Sequence, residues 1–98
     1  MASAQPVEKF WFIELAPQEA QVRCICRLEI DHQGQWTPIV RYDNAHGFCH
    51  RDTIHPNGTH DKTPVYVGDL GETFTFAITD MKANWKVYRS RYLGEVWP

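Results

Sequence analysis

The chain contains no apolar run approaching the roughly 18–20 residues that a membrane-spanning helix requires, which argues against a helical membrane protein. Met1 to Glu8 is polar and lacks the apolar core of a secretion signal, so the expected location is the cytoplasm. Cysteine is scarce. Three residues, an odd count without framework spacing, argue against a disulfide scaffold and for a reducing compartment. Basic excess is also missing: ten Lys and Arg against twelve Asp and Glu leave a net charge of −2, so any nucleic-acid contact would have to use a local patch. There is no internal repeat, low-complexity segment or linker. Neither a paired Cys-x2-Cys knuckle nor a His-Glu-x-x-His helix occurs, which removes the commonest zinc signatures.

What remains is 98 residues of ordinary globular composition, enough for a single domain with one core. Lys9 to Leu15 is dense in β-formers and reads as a first strand, ended by a turn over Ala16-Pro17-Gln18-Glu19. Gln21 to Asp31 alternates: Val22, Cys24, Cys26, Leu28 and Ile30 are apolar and only Ile25 breaks the period of two, so one face goes to the core. Cys24 and Cys26 on that apolar face read as buried thiols. Asp31 to Gln35 is a turn with Gly34 suited to positive φ, and Trp36 to Tyr42 returns as a third strand, with Pro38 marking an edge or a bulge near its start. These three strands form an antiparallel meander. Cys49 to Ile54 and Thr63 to Val67 can pair as a hairpin around the turn signal His55-Pro56-Asn57-Gly58-Thr59.

A helix start follows. Asp69 can cap it, with Glu72 three residues on as in a capping box. Leu70, Phe74, Ala77, Ile78, Met81, Trp85, Tyr88 and Tyr92 then recur at spacings of three and four, one stripe of a long helix, with Leu93-Gly94 as its stop. Thr73 to Thr79 also alternates as a strand would, so a strand to Thr79 followed by a shorter helix is the alternative. The expected architecture is one α+β domain over residues 1–98: an antiparallel β-meander sheet with one long C-terminal helix packed on a face.

The densest chemistry lies between Arg41 and His55. His46, Cys49, His50, His55 and His60 can all ligate metal, but in no standard spacing, and no metal or other cofactor is expected. Metal-independent RNA cleavage needs a base for the 2′-hydroxyl, an acid for the leaving 5′-oxygen and a cation for phosphate. Histidine suits the proton roles and arginine the phosphate. Tyr42, His46, His50, Arg51, Asp52 and His55 supply these types within fourteen residues. In a strand, His50 and Asp52 face one side and Arg51 the other. Asp43, Asn44 and Gly47 read as shapers of a tight turn that would position His46. On the helix, Lys82, Lys86 and Arg89 share a face that can meet RNA phosphates, or simply meet water. The aromatic tail from Tyr92 to Trp97 can dock on a partner or on the domain's own core.

The block Tyr42-Asp43-Asn44-Ala45-His46-Gly47-x-x-His50, following a β-meander and preceding a Pro-containing turn, resembles the TumE-like toxins of toxin–antitoxin systems. That family has a similar Tyr-Asp-Asn-x-x-Gly block followed by a histidine-rich pair. The match covers ten to fifteen residues, and the order of elements extends it weakly along the chain. Where the family commonly shows His-x-His, this chain has His50-Arg51-Asp52, with His55 as a substitute for the second histidine. The resemblance implies a small cytoplasmic toxin-like protein, neutralised by a cognate antitoxin with a DNA-binding domain and acting on RNA. His46 and His50 are the matched residues, and Tyr42 and Arg51 support them on chemical grounds. Two other classes stay open: a non-catalytic protein-interaction module using a sheet edge and the aromatic tail, and a small zinc-binding domain.

Overall fold

A computed structural model describes residues 5–15, 23–44 and 48–96. The turn expected over Ala16 to Glu19, the side chain of Cys24, His46 and Trp97 lie outside the described residues. Five strands, β1 (Glu8–Leu15), β2 (Arg23–His32), β3 (Gln35–Asp43), β4 (Cys49–Ile54) and β5 (His60–Val65), precede one helix, α1 (Leu70–Val96). Each strand pairs antiparallel with the next, in the order β1-β2-β3-β4-β5.

Local chemistry accounts for the joints. Gln33 and Gly34 both take positive φ (53° and 79°), the conformation of a two-residue hairpin whose twist matches the strands it joins. Pro38 sits beside a bulge: Leu28 pairs with Val40 and Glu29 with Pro38, so Ile39 is the extra residue, and both Ile39 and Val40 are buried. Pro64 lies in β5, an edge strand, where a missing N–H can be tolerated. The β4–β5 loop is tight. Asn57 Oδ1 accepts the Thr59 backbone N–H at 3.0 Å, and the His55 N–H donates to the Thr59 carbonyl at 2.9 Å. That closure starts β5 at His60, three residues before the expected Thr63.

The helix begins as its capping residues dictate. The Glu72 N–H donates to Asp69 Oδ1 at 2.9 Å, and Glu72 folds its carboxylate back over Gly68, which has φ 61°. The segment 73–79 is helical, and the helix continues through Gly94 to Val96 rather than stopping there. Gly94 has no positive φ, so it does not form the left-handed cap that a terminal glycine supplies. Ala77, Met81 and Tyr92 of the stripe are buried against Cys26, Leu28, Ile30, Val40 and Tyr42. Phe74, Ile78, Trp85 and Tyr88 are half-buried around them.

Register places whole rows of side chains on one face. Toward the helix runs Phe12, Cys26, Tyr42, Arg51, Thr63; on the other face runs Trp11, Arg27, Arg41, Asp52, Lys62. Helix α1 packs chiefly on β2 and β3 and reaches β1, so the outer hairpin β4–β5 projects beyond it.

Candidate functional site

The seam between α1 and the projecting hairpin gathers four polar side chains from three elements. Tyr42 of β3 and Arg51 of β4 are directly opposed in register. Asp80 and Tyr88 face them from the helix. The Tyr42 hydroxyl donates to Asp80 Oδ2, the Tyr88 hydroxyl donates to the same oxygen at 2.6 Å, and Asn84 Nδ2 donates to Asp80 Oδ1 at 2.8 Å. Arg51 stands beside the Tyr42 phenol, and its buried Nε finds no hydrogen-bond partner among the described residues.

Burial and the Asp80 carboxylate push both phenols up, Tyr88 to about 12 and Tyr42 further, so both are hydrogen-bond donors rather than bases at neutral pH. Burial disfavours the Arg51 charge, but interaction with Tyr42, Tyr88 and Asp80 outweighs it and raises its pKa. The guanidinium is therefore cationic at any physiological pH. The charge and the other N–H groups of the Arg51 guanidinium suit an anion with several acceptor oxygens.

Two hollows flank this cluster. One, of about 320 Å³, lies toward the helix N-terminus against Phe48, Cys49, Val65, Tyr66, Leu70 and Thr73. The other, of about 460 Å³, lies toward the C-terminus against His55, Asn57, Thr59, Asp61 and Glu95. At 1.5 Å per residue, Thr73 and Glu95 stand about 10 Å beyond Asp80 and Tyr88 along the helix axis.

An ionic clasp lines the C-terminal hollow. His55 Nε2 meets Asp61 Oδ2 at 2.7 Å, and its Nδ1 meets Glu95 Oε2 at 2.8 Å, joining hairpin to helix. Both ring nitrogens face carboxylates, so the bonds to Glu95 and then Asp61 raise the His55 pKa. A raised folded-state pKa makes the clasp strongest below the ordinary value of about 6.5 and weakens it as pH rises through the raised value. The expected outcome is a melting temperature that falls across that window in the native chain, with the fall reduced in His55→Gln. An unchanged pH profile in that variant would remove His55 from the account.

Of the sequence-derived site residues, the fold brings Tyr42 and Arg51 together and sends His50 elsewhere. His50 lies on the opposite sheet face, opposite Asp43 in register, with its ring centroid 4.3 Å from that of Phe48. Asp52 shares that face, near Lys62 and His60 at 3.5 Å each. The cations Lys82, Lys86 and Arg89 do not line the seam as a set. Lys82 Nζ sits 5.7 Å from the Phe12 ring, on the β1 flank, Lys86 lies 5.7 Å from Trp85, and Arg89 is half-buried. Asp80 and Tyr88 escaped the sequence reading: Tyr88 looked like part of the apolar stripe, and nothing near Asp80 in the chain marks it. Among the described residues, no three His, Cys, Asp or Glu side chains converge as a metal-ligand set. No described helix is long and apolar enough to cross a membrane.

A family model described as a domain of unknown function (DUF7718) matches residues 12–96. No curated protein and no solved structure matches the chain.

Proposed function

The chain belongs to the DUF7718 family, and because that description names no activity, we propose from the geometry and the Tyr42–His50 motif that it is a toxin-like, metal-independent ribonuclease. One observation carries the reading: Arg51, a guanidinium cation, stands beside the phenol pair tied to Asp80 in a seam with hollows at both ends.

In this reading Arg51 grips the scissile phosphate, beside the Tyr88 phenol, whose one proton is donated to Asp80. Asp80 and Tyr42 are positioning residues that hold these groups in place. The base is His46, four residues beyond Tyr42 and matched by the toxin resemblance. It takes the proton of the 2′-hydroxyl as that oxygen bonds to phosphorus and the bond to the 5′-oxygen breaks; the departing 5′-oxygen takes a proton from water, leaving a 2′,3′-cyclic phosphate and a 5′-hydroxyl. The partner is a cognate antitoxin with a DNA-binding domain, and the setting is the cytoplasm.

The test pairs expression toxicity with cleavage of single-stranded RNA by purified protein. The native chain should arrest growth and leave cyclic-phosphate ends. His46→Ala should abolish both with the fold retained, and His50→Ala should keep the cleavage rate within about tenfold, less than the loss of a positioned base or acid, because the sheet separates it from Arg51. If the native chain does neither, the seam is a structural network and the protein an interaction module.

A further inference from the structure

The face of the sheet opposite the helix carries a charge arrangement that the net charge of −2 conceals. Three carboxylates there lie low and their cationic partners stand above them. Arg27 is 39% exposed over Glu29 at 11%, and Arg41 is 38% exposed over Asp43 at 17%. His60 at 41% and Lys62 at 64% rise above Asp52 at 12%. Apart from Asp31, an exposed acid paired with Trp36, the outermost layer is therefore cationic, although the face as a whole is near neutral. Field lines from the sunken acids are partly spent on their own partners, while the raised groups keep unused N–H donors toward solvent.

Aromatic rings stand among these cations. Lys9 Nζ lies 4.4 Å from the Trp36 ring and 5.7 Å from that of Trp11, and the Arg27 guanidinium lies 5.5 Å from Trp11. The Trp11 indole N–H also donates to Glu29. These contacts fix both rings while each stays about two-fifths exposed (40% and 38%). Register sets Trp11, Arg27, Arg41, Asp52 and Lys62 in one row across the strands, at about 4.8 Å per strand. Phosphates ask for the raised cations, and exposed bases ask for the fixed rings. A duplex hides its base faces, so a row offering both fits a single strand.

We propose that this uncovered face binds single-stranded nucleic acid, with Arg27, Arg41 and Lys62 on the phosphates and Trp11 and Trp36 as stacking platforms. The surface needs no chemistry in the seam, and it serves equally a protein that cleaves its RNA and one that only binds it. His50, opposite Asp43 in the neighbouring row, then contacts bound nucleic acid without reaching Arg51.

Fluorescence anisotropy with a labelled twelve-nucleotide oligouridylate tests this at low and moderate salt. The native chain should bind, with affinity falling as salt rises. Lys62→Glu, at an exposed edge-strand position that tolerates charge, should weaken binding about tenfold or more, and Trp36→Ala should weaken it several-fold with less change in salt slope. Val87→Ser, at an exposed helix position outside both the seam and the open face, should bind as the native chain does. An oligothymidylate arm separates RNA from DNA as the preferred strand, either result supporting the face. No binding by the native chain overturns the proposal. So does equal affinity for a duplex of the same length, or loss of binding in Arg51→Ala alone, which would move the interface to the seam. Binding without cleavage would overturn the ribonuclease reading and leave this one standing.

Discussion

Arg51→Ala is expected to lower RNA cleavage by about a hundredfold to a thousandfold, the usual loss when one preorganised donor to a developing charge is removed. The argument rests on how the guanidinium is held. It stands opposite Tyr42 in register, and Tyr42 is itself tied to Asp80, so the guanidinium is held between strand and helix before substrate arrives. Arg51→Lys should recover little of the loss, because an ammonium keeps the charge but loses the planar pair of donors. Growth arrest on expression should disappear with Arg51→Ala, and thermal melting should show the variant folded. A folded Arg51→Ala protein that cleaves RNA at the native rate would remove the seam from the chemistry.

The second large effect is on stability. Asp80→Ala should cost about 3 kcal/mol, because it strips the shared acceptor from two half-buried to buried phenols at once, and an unsatisfied buried donor costs about 1–3 kcal/mol. In a domain of this size that is roughly 15 °C in melting temperature. Tyr42→Phe removes a donor while leaving Asp80 its bonds to Tyr88 and Asn84, and should cost nearer 1 kcal/mol. Urea denaturation of the two variants measures the difference. Equal losses would mean that Asp80 is not the hub of the network. Because Asp80→Ala also frees Arg51 and Tyr42 to move, its cleavage rate should fall beyond what the unfolded fraction explains, the mark of a positioning role rather than a purely structural one.

Much of this architecture was visible in local patterns. The alternation through Cys26, Leu28 and Ile30 marked β2, and the same residues are its buried face. Gly34 marked the hairpin turn, Pro38 the bulge, and Asp69 with Glu72 the helix start. Each of these is decided by a handful of neighbouring residues: a pleat that alternates sides, a backbone angle that few side chains allow, or a side chain within reach of unpaired N–H groups. The strand-like alternation of Thr73 to Thr79 lost to the helix because the three-and-four spacing continues to Tyr92, which is buried with Ala77 and Met81. Seven residues of alternation could not match that continuous buried stripe.

The site was half visible for the same reason. Tyr42 and Arg51 stood out as chemically useful neighbours, and strand pleating already separated Arg51 from His50 and Asp52. Asp80 lies 38 residues from Tyr42, and no local pattern could join them. Their contact depends on where α1 crosses the sheet and how far β4–β5 projects past it. The raised cations over sunken acids have the same origin, since depth on a face follows from what neighbouring strands and loops cover. Strand, turn and cap were thus written in short-range chemistry, whereas the seam at Arg51 and the charge of the open face exist only through contacts between distant segments.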